Sequence, residues 1–378
     1  MKQILHVVNI YFVIPYFLGD QLLYFKNKGY NEHIICSPSE EIRNYALLKK
    51  FSYYEVPVTR SISMYSDLKA IIATIRYIRS NNIDIVVGHT PKGALIGMIS
   101  GFLTGVSKRI YFRHGLVYET SHGFKRFVLK SIDRLNALLA NKIVCVSPSV
   151  YNQSLKDLLN PKNKQIVLHK GTCNGIDINR FNTSSIDSEK LNSLRNKFNL
   201  HNDYVIGYVG RLVRDKGIVE LVESFLLFNK RYENTKLLLV GMLEERDALP
   251  SETVDIIRSH PNIINTGYVD NSLIENYYKL MDVFILPSYR EGFPTSVLEA
   301  SAMELPIITT EVTGCRDAII PNETGVFVEH TSSSLLEAIC EIYRDKAYSS
   351  FLGKNGRKFV VENFRQELVW NEIEKLYK

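Results

Sequence analysis

Short runs of aliphatic and β-branched residues recur along this chain, separated by longer segments whose apolar positions fall at helical spacing. In the first half, the runs at residues 4–8, 33–36, 83–87, 109–112, 142–146 and 165–169 predict buried strands. In the second half, 204–208, 236–240, 263–267, 283–286, 306–309 and 325–328 repeat the plan. Between them lie helical patterns such as residues 218–232, where Ile218, Leu221, Val222, Phe225 and Phe228 share one face. Strands alternating with helices predict parallel sheets joined by right-handed crossovers. The polar stretch 182–202 separates the two halves. The expected fold is α/β: two Rossmann-like, doubly wound parallel-sheet domains, residues 1–185 and 186–378, facing one another across a cleft. The final helix is able to pack back on the first domain.

At 378 residues the chain is too long for one such core and suits two. The apolar residues 4–17 resemble a secretory leader, but His6, Asn9 and Pro15 interrupt them and no small-residue cleavage site follows. A first core strand is the better reading. No segment reaches the roughly 20 uninterrupted apolar residues of a membrane span. Five cysteines, odd in number and without a Cys-x-x-Cys pair, argue against a disulfide framework or a zinc site. A cytoplasmic protein is expected.

The overall charge of +6 conceals an asymmetry. Residues 1–185 hold 24 Lys and Arg against 11 Asp and Glu, whereas the remainder holds 22 against 29. A basic half suits nucleic acid, an anionic membrane or an acidic substrate. Nucleic acid is disfavoured, because no helix-turn-helix, finger or RNP pattern accompanies the charge. In residues 124–134, Phe124, Phe127, Val128 and Ile132 share a helical face flanked by Lys125, Arg126, Lys130 and Arg134. That pattern fits either an interfacial helix or an ordinary amphipathic helix packed on a sheet.

The most informative stretch is 286–300, which carries Glu291 and Glu299 across a loop-to-helix junction. Pro287 and Ser288 end the strand before it, Gly292 and Pro294 keep the loop irregular, and a helix is predicted from Thr295 to Met303. A helix start there leaves amide donors near Thr295, Ser296 and Val297 for a phosphate. Upstream, Gly210-Arg-Leu-Val-Arg-Asp-Lys-Gly217 also follows a strand, so Arg211 and Lys216 ride above the carboxyl edge where open α/β sheets bind ligands. Two cations there would clamp a diphosphate.

The combination Gly-Arg-Leu-x-x-x-Lys-Gly, then Gly267-Tyr-Val269, then Pro-Ser-x-x-Glu-Gly-Phe-Pro-x-x-x-Leu-Glu-Ala resembles the retaining glycosyltransferases of family four, which have the GT-B fold. The likeness is strong in the second half and looser in the first. It implies a donor domain in the second half and an acceptor domain in the first. Arg211 and Lys216 would contact the donor diphosphate, Glu299 the ribose hydroxyls and Glu291 the sugar. The backbone of Gly292, Phe293, Pro294, Thr295, Ser296 and Val297 would line sugar and phosphate, and Val269 would lie by the base. His114, after the 109–112 strand, matches a family histidine near the reacting sugar. Lys92 and Arg113 are the weaker candidates for acceptor binding. The chain departs from the family in the loop after its first strand, where Tyr11-Phe-Val-Ile-Pro-Tyr-Phe-Leu-Gly19 replaces the usual glycine pair.

The resemblance implies front-face displacement with retention, no cofactor beyond a nucleotide sugar, and no metal, since Asp-x-Asp is absent. The expected partners are a UDP-linked donor, a lipid-linked saccharide acceptor for surface-polysaccharide assembly, and peripheral contact with an anionic membrane. A non-hydrolysing UDP-N-acetylglucosamine epimerase and a catalytically silent nucleotide-sugar-binding partner are the alternatives. A dinucleotide oxidoreductase is weaker, lacking Gly-x-Gly-x-x-Gly after the first strand.

Overall fold

The computed structural model describes residues 1–58, 63–245 and 247–378. Among them the chain forms two compact units, one of residues 1–175 with 366–378 and the other of residues 176–365. The first unit holds a seven-stranded parallel sheet: β1 (Gln3–Val7), β2 (Asn31–Cys36), β3 (Ser52–Glu55), β4 (Ile85–His89), β5 (Lys108–Arg113), β6 (Lys142–Cys145) and β7 (Gln165–Val167), in the order β3-β2-β1-β4-β5-β6-β7. The second holds six parallel strands: β8 (Tyr204–Val209), β9 (Thr235–Val240), β10 (Ile263–Asn265), β11 (Val283–Leu286), β12 (Ile307–Thr310) and β13 (Gly325–Val328), ordered β10-β9-β8-β11-β12-β13. Each order reverses direction beside its first strand, which is the doubly wound plan expected from the pattern of apolar runs.

Strand β3 is an addition to the expected set. Its residues Ser52, Tyr53 and Tyr54 are exposed, and β3 lies at the sheet edge, so it carries no buried alternation to read. The other strands coincide with the apolar runs to within a few residues, because a parallel sheet covered on both faces demands continuous Val, Ile and Leu. Strands β4, β11 and β12 are buried at every residue.

The unit boundary lies at residue 175/176 rather than 185/186. Ile176 donates its amide to Phe364 O at 2.7 Å, and Phe181 sits in the second core, so the polar stretch 182–202 belongs wholly to the second unit. The helix Gln366–Tyr377 belongs to the first. Its Trp370 donates to Asn174 Oδ1 at 2.9 Å and lies tilted against the Tyr24 ring, while Tyr377 packs edge-on against Phe25 and Tyr30. Lys2 reaches the Tyr377 carbonyl at 2.7 Å. All five cysteines are unpaired and buried. Among the described residues no helix is long and apolar enough to cross a membrane.

Candidate functional site

Strands β8 and β11 are neighbours, so the loops leaving their carboxyl ends lie side by side. The 210–217 loop closes on Gly217, whose φ of +68° is left-handed and whose Cβ, were one present, would stand 2.1 Å from the Pro287 carbonyl. Only glycine permits that approach. Tyr289 N–H donates to Asp215 O at 2.9 Å, and Arg290 pairs with Asp215 at 3.0 Å, locking the two loops together. Gly314, after β12, meets the Gly292 carbonyl in the same way, with φ +84° and a would-be Cβ contact of 2.5 Å. Replacing Gly217 by alanine is expected to cost roughly 1–3 kcal/mol and to dislodge Lys216. Chemical denaturation followed with a donor-binding assay checks this, and a variant of unchanged stability and affinity would contradict it.

This packing brings Lys216 onto Glu291. The ammonium bonds Glu291 Oε1, and Ser288 Oγ donates to the same oxygen at 2.8 Å. Both side chains of the pair are mostly, not wholly, shielded. Arg211, half-exposed, pairs instead with Glu244 at 3.0 Å. Beyond Glu291 the chain enters the helix Thr295–Ala302 through Pro294, where no side chain caps the first turn. The Val297 amide, expected among the phosphate donors, instead donates to Pro294 O at 3.1 Å, so the amides of Thr295 and Ser296 are the ones placed to receive an anion. Gly292, Thr295 and Ser296 are half-buried, Pro294 and Val297 buried, and Phe293 packs its ring against Phe364 at 5.4 Å. Val269 turns its side chain onto the second core, while Tyr268 beside it is exposed.

Glu299 lies one turn into that helix and is only 7% exposed. Tyr278 donates its hydroxyl to Glu299 Oε2 at 2.8 Å. Burial pushes the carboxyl up to about 7, against the opposing pull of that hydrogen bond and of Arg180. Arg180 is itself forked onto Glu275 at 2.8 and 3.0 Å and onto Asn271 at 2.9 Å. An acid held this close to neutral takes hydrogen-bond donors from a diol readily, because their arrival favours the ionised form.

In the first unit, His114 follows β5 and is half-buried under Phe17, whose ring stacks on the imidazole at 3.7 Å with the planes 4° apart. Phe17 ends the short helix Ile14–Phe17 in the aromatic loop after β1, so the residues that stand where the family has glycines form the wall of this histidine. Burial lowers the His114 pKa to about 3, which keeps the ring neutral. His114 Nε2 lies 2.9 Å from His89 Nδ1, His89 Nε2 lies 3.0 Å from His6 Nδ1, and His6 Nε2 lies 3.0 Å from Glu32 Oε2.

Arg113 and Lys92 are placed differently from the expectation that they meet an acceptor. Arg113 is fully buried, with its guanidinium on Asp133 at 2.6 and 3.0 Å, Asn160 at 2.9 Å and Gln165 at 3.2 Å. Burial opposes its charge, but Asp133 outweighs burial and holds it protonated. Those donors are consumed inside the unit. Lys92, also buried, is paired with Asp67 at 2.5 Å. Both residues serve the core, in which a buried charge requires a partner.

The residues not foreseen from the sequence are Tyr278, Ser288, Arg180, Glu32, His6 and His89. His6 and His89 have a readable signal, each a polar residue in a largely apolar strand, whereas Glu32 stands between Asn31 and His33 and has none. Tyr278 and Arg180 lie far from Glu299 along the chain and have none.

Two family descriptions match the chain: "Glycosyl transferases group 1" over residues 192–359 and "Glycosyl transferase 4-like" over residues 4–147. A Staphylococcus aureus protein, capsular polysaccharide biosynthesis glycosyltransferase CapM, is 34% identical over 377 residues, covering 100% of this chain and 97% of that one. An Escherichia coli UDP-Gal:alpha-D-GlcNAc-diphosphoundecaprenol alpha-1,3-galactosyltransferase is 25% identical over 93% of this chain and 89% of its own. Among solved structures, Anabaena Alr3699/HepE in complex with UDP-glucose superposes with a TM-score of 0.81 at 15% identity, covering 100% of both chains. With glycosyltransferase matches in both halves and a full-length relative at this level of identity, the chain belongs to the group 1 glycosyltransferases and carries the GT-B fold.

Proposed function

We propose that this chain transfers a hexose or N-acetylhexosamine from a UDP-linked donor to a hydroxyl of a lipid-linked saccharide, with retention, during surface-polysaccharide assembly at the cytoplasmic face of a membrane. The observation that carries this reading is the convergence at one sheet edge of Lys216, Glu291, Ser288 and an uncapped helix start, with the buried Glu299 one turn on. Each feature suits one part of a nucleotide sugar. Glu299 takes the ribose diol; the first-turn amides of Thr295 and Ser296, with Arg211 and Lys216, take the diphosphate; Glu291 orients the sugar. His114 contacts a sugar hydroxyl. The names of CapM and of the E. coli galactosyltransferase support the surface polymer, the UDP donor and the polyprenyl-diphosphate acceptor.

On departure, the diphosphate gains negative charge, and Lys216 and Arg211 are placed to offset it. The leaving phosphate oxygen accepts the acceptor's proton as the new bond forms on the same face. Fixed cations fill the role a divalent metal plays elsewhere, so EDTA is expected to leave the rate unchanged. The test is incubation with radiolabelled UDP-sugars and a polyprenyl-diphosphate-linked saccharide. Label in the organic phase, with the anomeric configuration of the donor by NMR, supports the reading. An isomerised donor would replace it with epimerisation, and binding without turnover with a silent partner.

Membrane contact is supported by the helix Gly123–Leu139, which turns its apolar stripe outwards: Phe124 is 81%, Phe127 63% and Leu138 70% exposed. Its inner face buries Asp133, Asn136 and Ala137 instead. Such a stripe beside Lys125 and Arg134 suits an anionic bilayer surface. The double variant Phe124→Ser/Phe127→Ser is expected to float several-fold less with anionic vesicles at low salt while donor binding is unchanged. Equal flotation of variant and wild type would remove the helix from the membrane contact.

A further inference from the structure

The four residues Glu32, His6, His89 and His114 form a staircase across the first sheet. Glu32 on β2 sits opposite Ile4 of β1, and His6 stands two residues further along β1. His6 is opposite Val87 of β4, and His89 is two residues further along β4. His89 is opposite Phe112 of β5, and His114 is two residues beyond that. In a sheet, a step of two keeps the side chain on the same face. Each move to the next strand therefore also climbs towards the carboxyl edge, from a buried glutamate to a half-buried histidine.

A neutral imidazole has one N–H and one lone pair, so a chain of them must point in a single direction. Burial lowers the pKa of His89 well below its ordinary range and that of His114 likewise, so both rings enter the chain neutral. The end group then decides which way it points. A carboxylate offers only lone pairs, and Glu32 spends one oxygen on His6 while its other oxygen has no hydrogen-bond partner among the described residues.

We propose that Glu32 is a positioning residue that sets the direction of this hydrogen-bond chain, so that His114 donates Nε2–H inwards and presents Nδ1 as an acceptor to a substrate hydroxyl. His6 donates to Glu32, His89 donates to His6, and His114 donates to His89. The open end of the staircase is then a lone pair, which recognises an O–H and rejects a bare oxygen acceptor. Reversing the chain requires one added proton, on Glu32 or on His6, since an imidazolium at His6 would donate both to Glu32 and to His89. The proposal rests on the reading of His114 as a substrate contact in glycosyl transfer.

Histidine-selective 15N labelling of the full chain tests it, with the His114 signals identified by their loss in His114→Asn. Wild type is expected to show His114 with Nε2 protonated and Nδ1 bare. In Glu32→Gln, whose amide can accept or donate, the two nitrogens should shift towards averaged values. In that variant kcat should fall at least about tenfold, since a histidine in the wrong tautomer loses its role, while the donor KM stays within about twofold. A protonated Nδ1 in wild type overturns the proposal, and so does Glu32→Gln with unchanged spectrum and kcat. If Glu32→Gln does not fold, the wild-type spectrum decides alone. Full activity in His114→Asn overturns the substrate contact. Absence of transfer by wild type tells against the glycosyl-transfer reading alone, because the spectra do not depend on turnover.

Discussion

Glu299→Gln is expected to make the protein more stable at pH 8 and worse at holding its donor. In the folded chain burial raises the Glu299 carboxyl to about 7 from an ordinary value of 4.5. A carboxyl whose pKa is raised by folding contributes stability that is present below its unfolded pKa and is lost as pH rises through its folded one. Between those two values the loss accumulates at about 1.4 kcal/mol for each tenfold fall in proton activity, reaching on the order of 3 kcal/mol above pH 7. Glutamine keeps an oxygen for the Tyr278 hydroxyl and never ionises. The thermal unfolding midpoint of the second unit should therefore rise by several degrees at pH 8 and hardly change at pH 4.5. Donor affinity should move the other way, weakening roughly ten- to a hundredfold as charged hydrogen bonds to a diol become neutral ones. The wild-type Kd should also worsen as pH falls below about 7, by up to about tenfold per pH unit, because binding selects the ionised acid. The variant should lack that slope. A donor Kd indifferent to the substitution would remove Glu299 from the ribose.

Lys216→Ala and Glu291→Gln are expected to lose transfer by about a hundred- to a thousandfold each, the scale for removing one group that meets developing charge or orients the reacting sugar. The two should differ in kind. Losing Lys216 should weaken UDP itself, since the diphosphate is the partner proposed for it. Losing Glu291 should leave UDP affinity within a few-fold and weaken only the intact nucleotide sugar. Isothermal titration with UDP and with UDP-sugar separates them, alongside rates under saturating donor. Their effects should also fail to add, because the two side chains are bonded to one another. Near wild-type rates in either variant would refute the site.

The candidate site at the edge of the second sheet is legible because its residues are close in sequence to the strands that place them. Lys216 and Glu291 each follow a strand of one sheet, and the strands β8 and β11 are neighbours, so two separate loop motifs have to meet. What a linear sequence does not convey is direction and distant partnership. Arg113 stands at the strand end where a ligand-binding residue would, but Asp133, twenty positions away, takes its guanidinium into the core. Lys92 is claimed by Asp67 in the same manner. The histidine staircase needs the register of four strands before its members touch, and no single segment contains it. Strand β3 is hard to read because an exposed edge strand has little burial to write into its sequence.

The helix Gln366–Tyr377 has a consequence for how the chain is made. Its Trp370, Ile373 and Tyr377 complete the core of a unit whose sheet is otherwise encoded by the first 175 residues. During synthesis that sheet must wait, with the surface destined for Trp370 and Tyr377 uncovered, while the whole of 176–365 emerges. The second unit is contiguous and is free to fold as soon as it is out, so the half made first is finished last. Dividing the gene at residue 175 would yield an independent second unit but strand the first without its closing helix. A released chain truncated after residue 365 should accordingly protect the second unit from protease while leaving the first one sensitive.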